Sequence, residues 1–397
     1  MKILRNRSLA LLAAGGTISQ LGDVCFMIAL PWLVLQMTGS SIALGSVLLA
    51  LAIPRAALML FGGVLSDRFA ARNVLLVTNL ALMLCVASLA LLAFAHVLAL
   101  WMLYVLAVIF GTADAFAAPA LKAMLPALVA PDEIQPANAL LQSLAQLCLL
   151  VGAALAGVLI ARFGLEITFV IDAFSFGFLI AALAAMRVPT GARVAAGSAL
   201  SAIAGGIAYV LADRKLCTLI VILTAVNACL TGATQVGITA LVHARFHSAG
   251  DFGALVSASA TGSLVGIVLA GAWKARGDAI ATVLGAAGLL GACIATLALP
   301  LAFVGFFAVL VLAGAIAGYV NVVVISALQR TILPEMRGRA MSLVALASVG
   351  IAPFSLAIGG AIAQASVGAL MLGSGCALVL VAAAGGALAR QPATNAR

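Results

Sequence analysis

Charge is what this chain has least of. Asp, Glu, Lys and Arg make up 8% of its 397 residues, against 65% hydrophobic residues, and the mean hydropathy is +1.30. A water-soluble domain has no use for that much apolar material. Missing too is the alternation of polar and apolar residues over about ten positions that marks a membrane β-strand. Instead, hydrophobic runs of roughly 20 residues recur from end to end, each long enough to cross a bilayer as a helix. Only helices and closed barrels satisfy their backbone in lipid. The chain therefore reads as an all-α integral membrane protein, with the lipid bilayer as its surroundings.

Other absences narrow the chemistry. The seven cysteines, at 25, 85, 148, 217, 229, 293 and 376, form no C-x-x-C pair and mostly lie inside apolar runs. They read as small packing residues rather than redox or metal groups. Of the three histidines, His243 and His247 are four apart but have no further ligand in view, so no metal site is expected. There is no G-x-x-x-x-G-K-[ST] loop and no soluble domain to house one, which excludes a nucleotide-hydrolysing pump within this chain. No cofactor is expected. The net charge of +9 is a topology signal here and does not point to nucleic acid.

About twelve spans are expected, near 9–35, 42–65, 74–94, 97–118, 138–161, 165–186, 216–242, 252–273, 279–298, 301–325, 341–363 and 367–389. With these spans, the loops sort by charge. Of 20 lysines and arginines, only Arg162 and Arg245 fall on one face and Arg55 falls inside a span; all others share the opposite face. The positive-inside rule then places both termini in the cytoplasm, in a multi-pass protein of the cell (inner) membrane. The start, Met1-Lys2-Ile3-Leu4-Arg5, looks like a signal n-region but reads as the head of a retained first span. The longest polar interval runs from Arg187 to Lys215 and is broken by Pro189, Gly191 and Gly197. It divides the chain into a six-helix bundle (1–190), a central cytoplasmic loop or surface helix (191–215) and a second six-helix bundle (216–397).

The densest charge is Gly62-Gly63-Val64-Leu65-Ser66-Asp67-Arg68-Phe69-Ala70-Ala71-Arg72, at the end of the second span. Gly63 and Gly271 are 208 residues apart, as are Arg68 and Arg276, Lys122 and Arg330, and Pro126 and Pro334. One offset serving two separate loops marks the halves as parallel repeats. Such repeats imply a pseudo-two-fold axis along the membrane normal and a site near mid-bilayer.

On these residues the chain resembles the major facilitator superfamily, whose loop pattern reads approximately G-x-L-x-D-R-x-G-R-R/K. Gly63, Leu65, Asp67, Arg68 and Arg72 match, while Ala70 and Ala71 depart from it. Leu21-Gly22-Asp23, Ile28-Ala29-Leu30-Pro31-Trp32, Ile53-Pro54-Arg55, Asp114-Ala115-Phe116 and Ile171-Asp172-Ala173 look like the bacterial macrolide and siderophore exporter branch. The resemblance implies two pseudo-symmetric six-helix bundles and alternating access. It also implies a gating loop in which Asp67 faces the start of the eleventh helix, here near Arg339 to Ser342. Exporters of the family carry G-P-x-x-G-G in the fifth helix; here Gly152 to Gly157 has Ala153 and Ala156 in place of the proline and one glycine.

Ionisable residues deep in a membrane span are costly and usually functional. Asp23 lies about 21 Å into the first span and Arg55 about 15 Å from the end of the second, at 1.5 Å per residue. They are a candidate proton-coupling pair: either Asp23 carries a proton as access alternates, or the two form a fixed ion pair. Asp172 is a second protonation candidate or a carboxylate hydrogen-bonded to helix neighbours. Asp114 reads as part of the gating cluster, at the cytoplasmic end of the fourth span within reach of Arg68 and Arg72. A polar stripe of Asn138, Gln142 and Gln146 on the fifth span, with Asn227, Gln235, Tyr319 and Asn321 in the second half, is the candidate lining of a weakly polar cavity.

The expected function is secondary active transport, with a proton gradient driving efflux of hydrophobic or amphipathic small molecules such as an antibiotic, natural product or siderophore. The alternatives are metabolite uptake, movement of lipid between leaflets, and a non-transporting scaffold or sensor on a transporter fold. No enzymatic activity is expected.

Overall fold

The computed structural model describes residues 6–68, 70–130, 133–186, 213–272, 279–332, 344 and 349–390, without the side chains at 60–68, 118, 122, 126, 135, 214–215, 279, 329–331 and 386–390. Among the described residues all regular structure is helical. The first helices are α1 (Arg7–Thr38), α2 (Ser41–Arg68), α3 (Ala71–Phe94) and α4 (Leu100–Leu128). Helix Ile134–Ala185 is interrupted at Gly164, whose φ of 87° and ψ of 172° are not helical, and gives α5 (134–163) and α6 (165–185). After the central segment, Arg214–Gly232 continues through a π-helical turn, Ala233–Ile238, into Thr239–Arg245; the whole is α7. Then come α8 (Ala249–Ala272), α9 (Ala279–Thr296), α10 (Phe303–Thr331), α11 (Ala352–Ala365) and α12 (Val367–Arg390).

Among the described residues nine helices can cross a membrane by length and composition, with Pro136–Ala185 counted once, and two shorter apolar ones accompany them. Hydrophobic run length thus places the spans well. The main departure is α4, which continues to Leu128 rather than ending near 118. Pro119 and Pro126 lie inside it, as membrane helices allow.

Local chemistry sets the connections. Asn6 Oδ1 caps α1 by accepting from the backbone N–H of Ser8 (3.0 Å) and Leu9 (3.2 Å). Its Nδ2 donates to the Leu128 carbonyl at the end of α4, 2.5 Å away. Gly39 ends α1 with φ 62°, a left-handed position that suits glycine. Contacts along α1 fix the direction of α5 and α6. Cys148 lies against Thr17 and Gly152 against Leu21 and Val24, so α5 runs with α1. Gly22 meets Asp172 and Ser175, and Gly15 meets Leu179 and Ala182, so α6 runs against it. Gly164 is therefore the tip of a helical hairpin.

The chain forms two compact units, one holding α1–α6 with residues 242–257, the other the remainder of α7–α12. Each has its own apolar core. In the first, Leu9, Leu12, Leu75, Ala120, Met124 and Leu183 are buried together; in the second, Leu216, Ile222, Val283, Val324, Leu328 and Ile332 are. Leu75 and Val283, Ala120 and Leu328, and Met124 and Ile332 are each 208 residues apart. The repeat offset seen in the loops therefore runs through the cores as well.

Candidate functional site

Four ionisable side chains sit at mid-helix in the first unit: Asp23 on α1, Arg55 on α2, Asp114 on α4 and Asp172 on α6. Nothing comparable exists in the second, where residues 216–241, 258–272, 279–329 and 349–389 contain no Asp, Glu, Lys or Arg.

Arg55 pairs with Asp114, Nε to Oδ2 at 2.9 Å. This corrects both expectations: Arg55 is not the ion-pair partner of Asp23, and Asp114 does not belong to the loop after α2. The reason is the length of α4, which puts Asp114 at its middle. One turn earlier, a Cβ on Gly111 would strike the Leu51 carbonyl. That close approach of α4 to α2 brings the two charged side chains together.

Asp23 is partly buried, and among the described residues it has no ion pair. Arg55, Asp114 and Asp172 all lie within electrostatic reach of it. Asp172 is sealed, with 0% of its surface exposed. Its Oδ1 accepts from Ser175 Oγ at 3.3 Å, a hydroxyl that also donates to the Asp172 backbone carbonyl at 2.7 Å. Among the described residues Oδ2 has no hydrogen-bond partner, which is costly for a buried carboxyl oxygen. A side chain at position 22 would overlap Asp172 Oδ1 and Ser175 Oγ, so Gly22 is what lets this acid lie against α1 beside Asp23.

Sequence reading missed the aromatic residues one helical turn from these acids. Phe26 and Phe110 are stacked at 4.3 Å and 7°, and Phe169 meets Phe26 edge-on at 6.1 Å. All three are buried. The signal was present, because Phe26 follows Asp23 by one helical turn, Phe110 precedes Asp114 by one, and Phe169 precedes Asp172 by one.

The gating candidates fare differently. The backbone of α2 is helical through Gly63, Asp67 and Arg68; their side chains, Phe69 and the expected partner region at Arg339 to Ser342 lie outside the described residues, as does 191–212 of the central segment. Among the described residues Arg72 bonds neither α2 nor Asp114. It donates from Nε to the Leu183 carbonyl (2.7 Å) and from Nη2 to that of Ala184 (2.9 Å), capping the last turn of α6 with a positive charge.

Of the polar lining, Gln142 and Asn138 are exposed and Gln146 is partly buried, all on α5. Asn138 and Asn227 each donate back to their own helix, to Ile134 (3.0 Å) and Leu223 (2.9 Å). Gln235 is exposed within the π-helical turn, Tyr319 is partly buried, and Asn321 is exposed. These residues are divided between the two units.

Paired six-helix units with charge concentrated at mid-depth define a multi-pass membrane transporter. The chain belongs to the transmembrane secretion effector family of the major facilitator superfamily, whose profile matches residues 2–397. Over 175 residues it is 33% identical to the multidrug efflux pump Tap of Mycobacterium tuberculosis and to its Mycobacterium bovis counterpart. That match covers 42% of this chain and 41% of the pump, so the chain spans about two fifths of the length of the curated relatives it matches. In fold it is similar to a bacterial homologue of the iron transporter ferroportin (TM-score 0.76, 17% identity, 97% and 99% of the two chains). It is also similar to the nucleoside transporter NupG (TM-score 0.72, 14% identity, 97% and 100%).

Proposed function

We propose that the protein exports hydrophobic or amphipathic small molecules in exchange for protons, by alternating access, from the cytoplasmic side of the inner membrane. One observation carries the reading: Asp23, a mid-helix carboxylate with no ion pair, stands beside an arginine committed to another acid. Asp23 is partly accessible, whereas Asp172 is sealed. On this reading Asp23 is the acid that exchanges its proton with solvent. The cluster holds three carboxyl groups and one guanidinium, so one proton arriving at Asp23 halves its formal excess of negative charge. A cationic amphiphile binding at the same carboxylate has the same effect, which makes proton and substrate competitors, as exchange requires. The efflux direction is supported by the family and by the relative's activity as a pump. Cytoplasmic termini are supported by the asymmetry of basic residues.

The test is flux of ethidium from loaded vesicles containing the purified protein. Flux is expected to accelerate under an imposed pH gradient and to fall at least roughly tenfold in Asp23→Asn, the size of effect expected when a general proton-transfer group is removed. Flux unchanged on collapsing the gradient rules proton coupling out.

A further inference from the structure

On the reading that Asp23 exchanges protons, we infer that Asp114 is a positioning residue: it holds the guanidinium of Arg55 against α4 and so keeps it from closing an ion pair with Asp23. Arg55 is the one polar side chain between Ser46 and Ser66 of α2. In such an apolar stretch an arginine seeks a carboxylate. Two are within its field, Asp114, which it binds at 2.9 Å, and Asp23, which it does not bind.

The contact is made through Nε, and the Arg55 side chain is 48% exposed. The pair is thus neither sealed nor fully engaged, and the guanidinium keeps its Nη donors for another acid. Helix packing does not require the pair, since α8 and α10 of the second unit meet through glycines with no charge at all. The groups facing Asp23 are Arg55 from α2, Asp114 from α4 and Asp172 from α6. From α3 and α5 come only the thiols of Cys85 near Asp172 and Cys148 on the Thr17 carbonyl. Among the described residues Arg55 is therefore the one cation in the cluster, and which acid holds it decides whether Asp23 is available.

The inference makes a suppression test. In Asp114→Asn the arginine turns to Asp23 and gradient-driven ethidium flux falls by roughly tenfold or more, the scale of an opposite charge acting on a carboxylate. Adding Arg55→Gln to that variant removes the competitor and restores flux to within about threefold of wild type. Asp114→Glu keeps most activity. Elution of each variant as a folded species by size exclusion accompanies the flux.

A second readout is proton uptake by the purified protein after a pH jump, followed with pyranine. It is lost in Asp114→Asn and regained in the double variant even if ethidium is not the transported molecule, so failure of the efflux reading is distinguishable. Wild-type behaviour of Asp114→Asn in both readouts overturns the inference. So does a folded double variant that remains as inactive as the single one.

Discussion

The contact between α2 and α4 in the first unit and that between α8 and α10 in the second solve one packing problem in two ways. In the second, a Cβ on Gly262 would fall on the Val311 carbonyl, on Gly266 on that of Ala315, on Gly314 on that of Ser259, and on Gly318 on that of Ser263. Two G-x-x-x-G stretches interlock, backbone on backbone, and neither contains a charged residue. The first unit keeps one such glycine, Gly111, and adds the Arg55–Asp114 pair. An apolar interface of small residues suffices to hold two membrane helices together. The charges in the first unit are therefore an expense that packing does not explain, which is why proton exchange is proposed for this half. In the first unit the Phe26–Phe110–Phe169 cluster is built from residues one helical turn from Asp23, Asp114 and Asp172.

Four substitutions sharpen or break this contrast. Phe169→Ala opens a cavity beside the sealed acid and is expected to cost about 3–5 kcal/mol of stability. A loss below about 1 kcal/mol in thermal unfolding of the purified protein would mean that the aromatic cluster is not a packed insulator. In the second unit, Gly318→Leu forces α10 off α8 and is expected to cost about 1–3 kcal/mol and to lower the yield of monodisperse protein. An unchanged melting temperature would refute the interlocked contact. Asp172→Val replaces a carboxyl group whose Oδ2 no described group satisfies with an apolar side chain of similar size, so stability is expected to rise by about 1 kcal/mol. A loss of stability would show that the acid is held by more than Ser175. The smallest effect belongs to Arg72→Gln, which strips the cap from α6 and is expected to cost about 0.5–1.5 kcal/mol, more at low salt than at high. Insensitivity to salt would remove its electrostatic part.

Run length and loop charge made the spans and their number legible, because membrane thickness constrains both. Single residues were legible only as types. That Asp23, Arg55, Asp114 and Asp172 matter follows from the cost of charge in an apolar helix. Who pairs with whom depends on where α4 ends, and Pro119 and Lys122 made that end look too early. Arg72 reads equally well as a partner of its own helix, since nothing in the sequence places the end of α6 beside it. The Phe trio was overlooked because aromatic residues in an apolar run stand out only once their one-turn spacing from each acid is counted.

Gly164 carries a consequence for how the protein can be made and varied. Only one non-helical residue separates α5 from α6, so the two helices must enter the bilayer as a single folded pair, with no loop on which a tag, a glycan or a protease site can be placed. Inserting or deleting one residue there would turn α6 by about 100° and shift it by about 1.5 Å, carrying Asp172 away from Gly22. Homologues of different length are expected to vary elsewhere and to keep this joint at a fixed count.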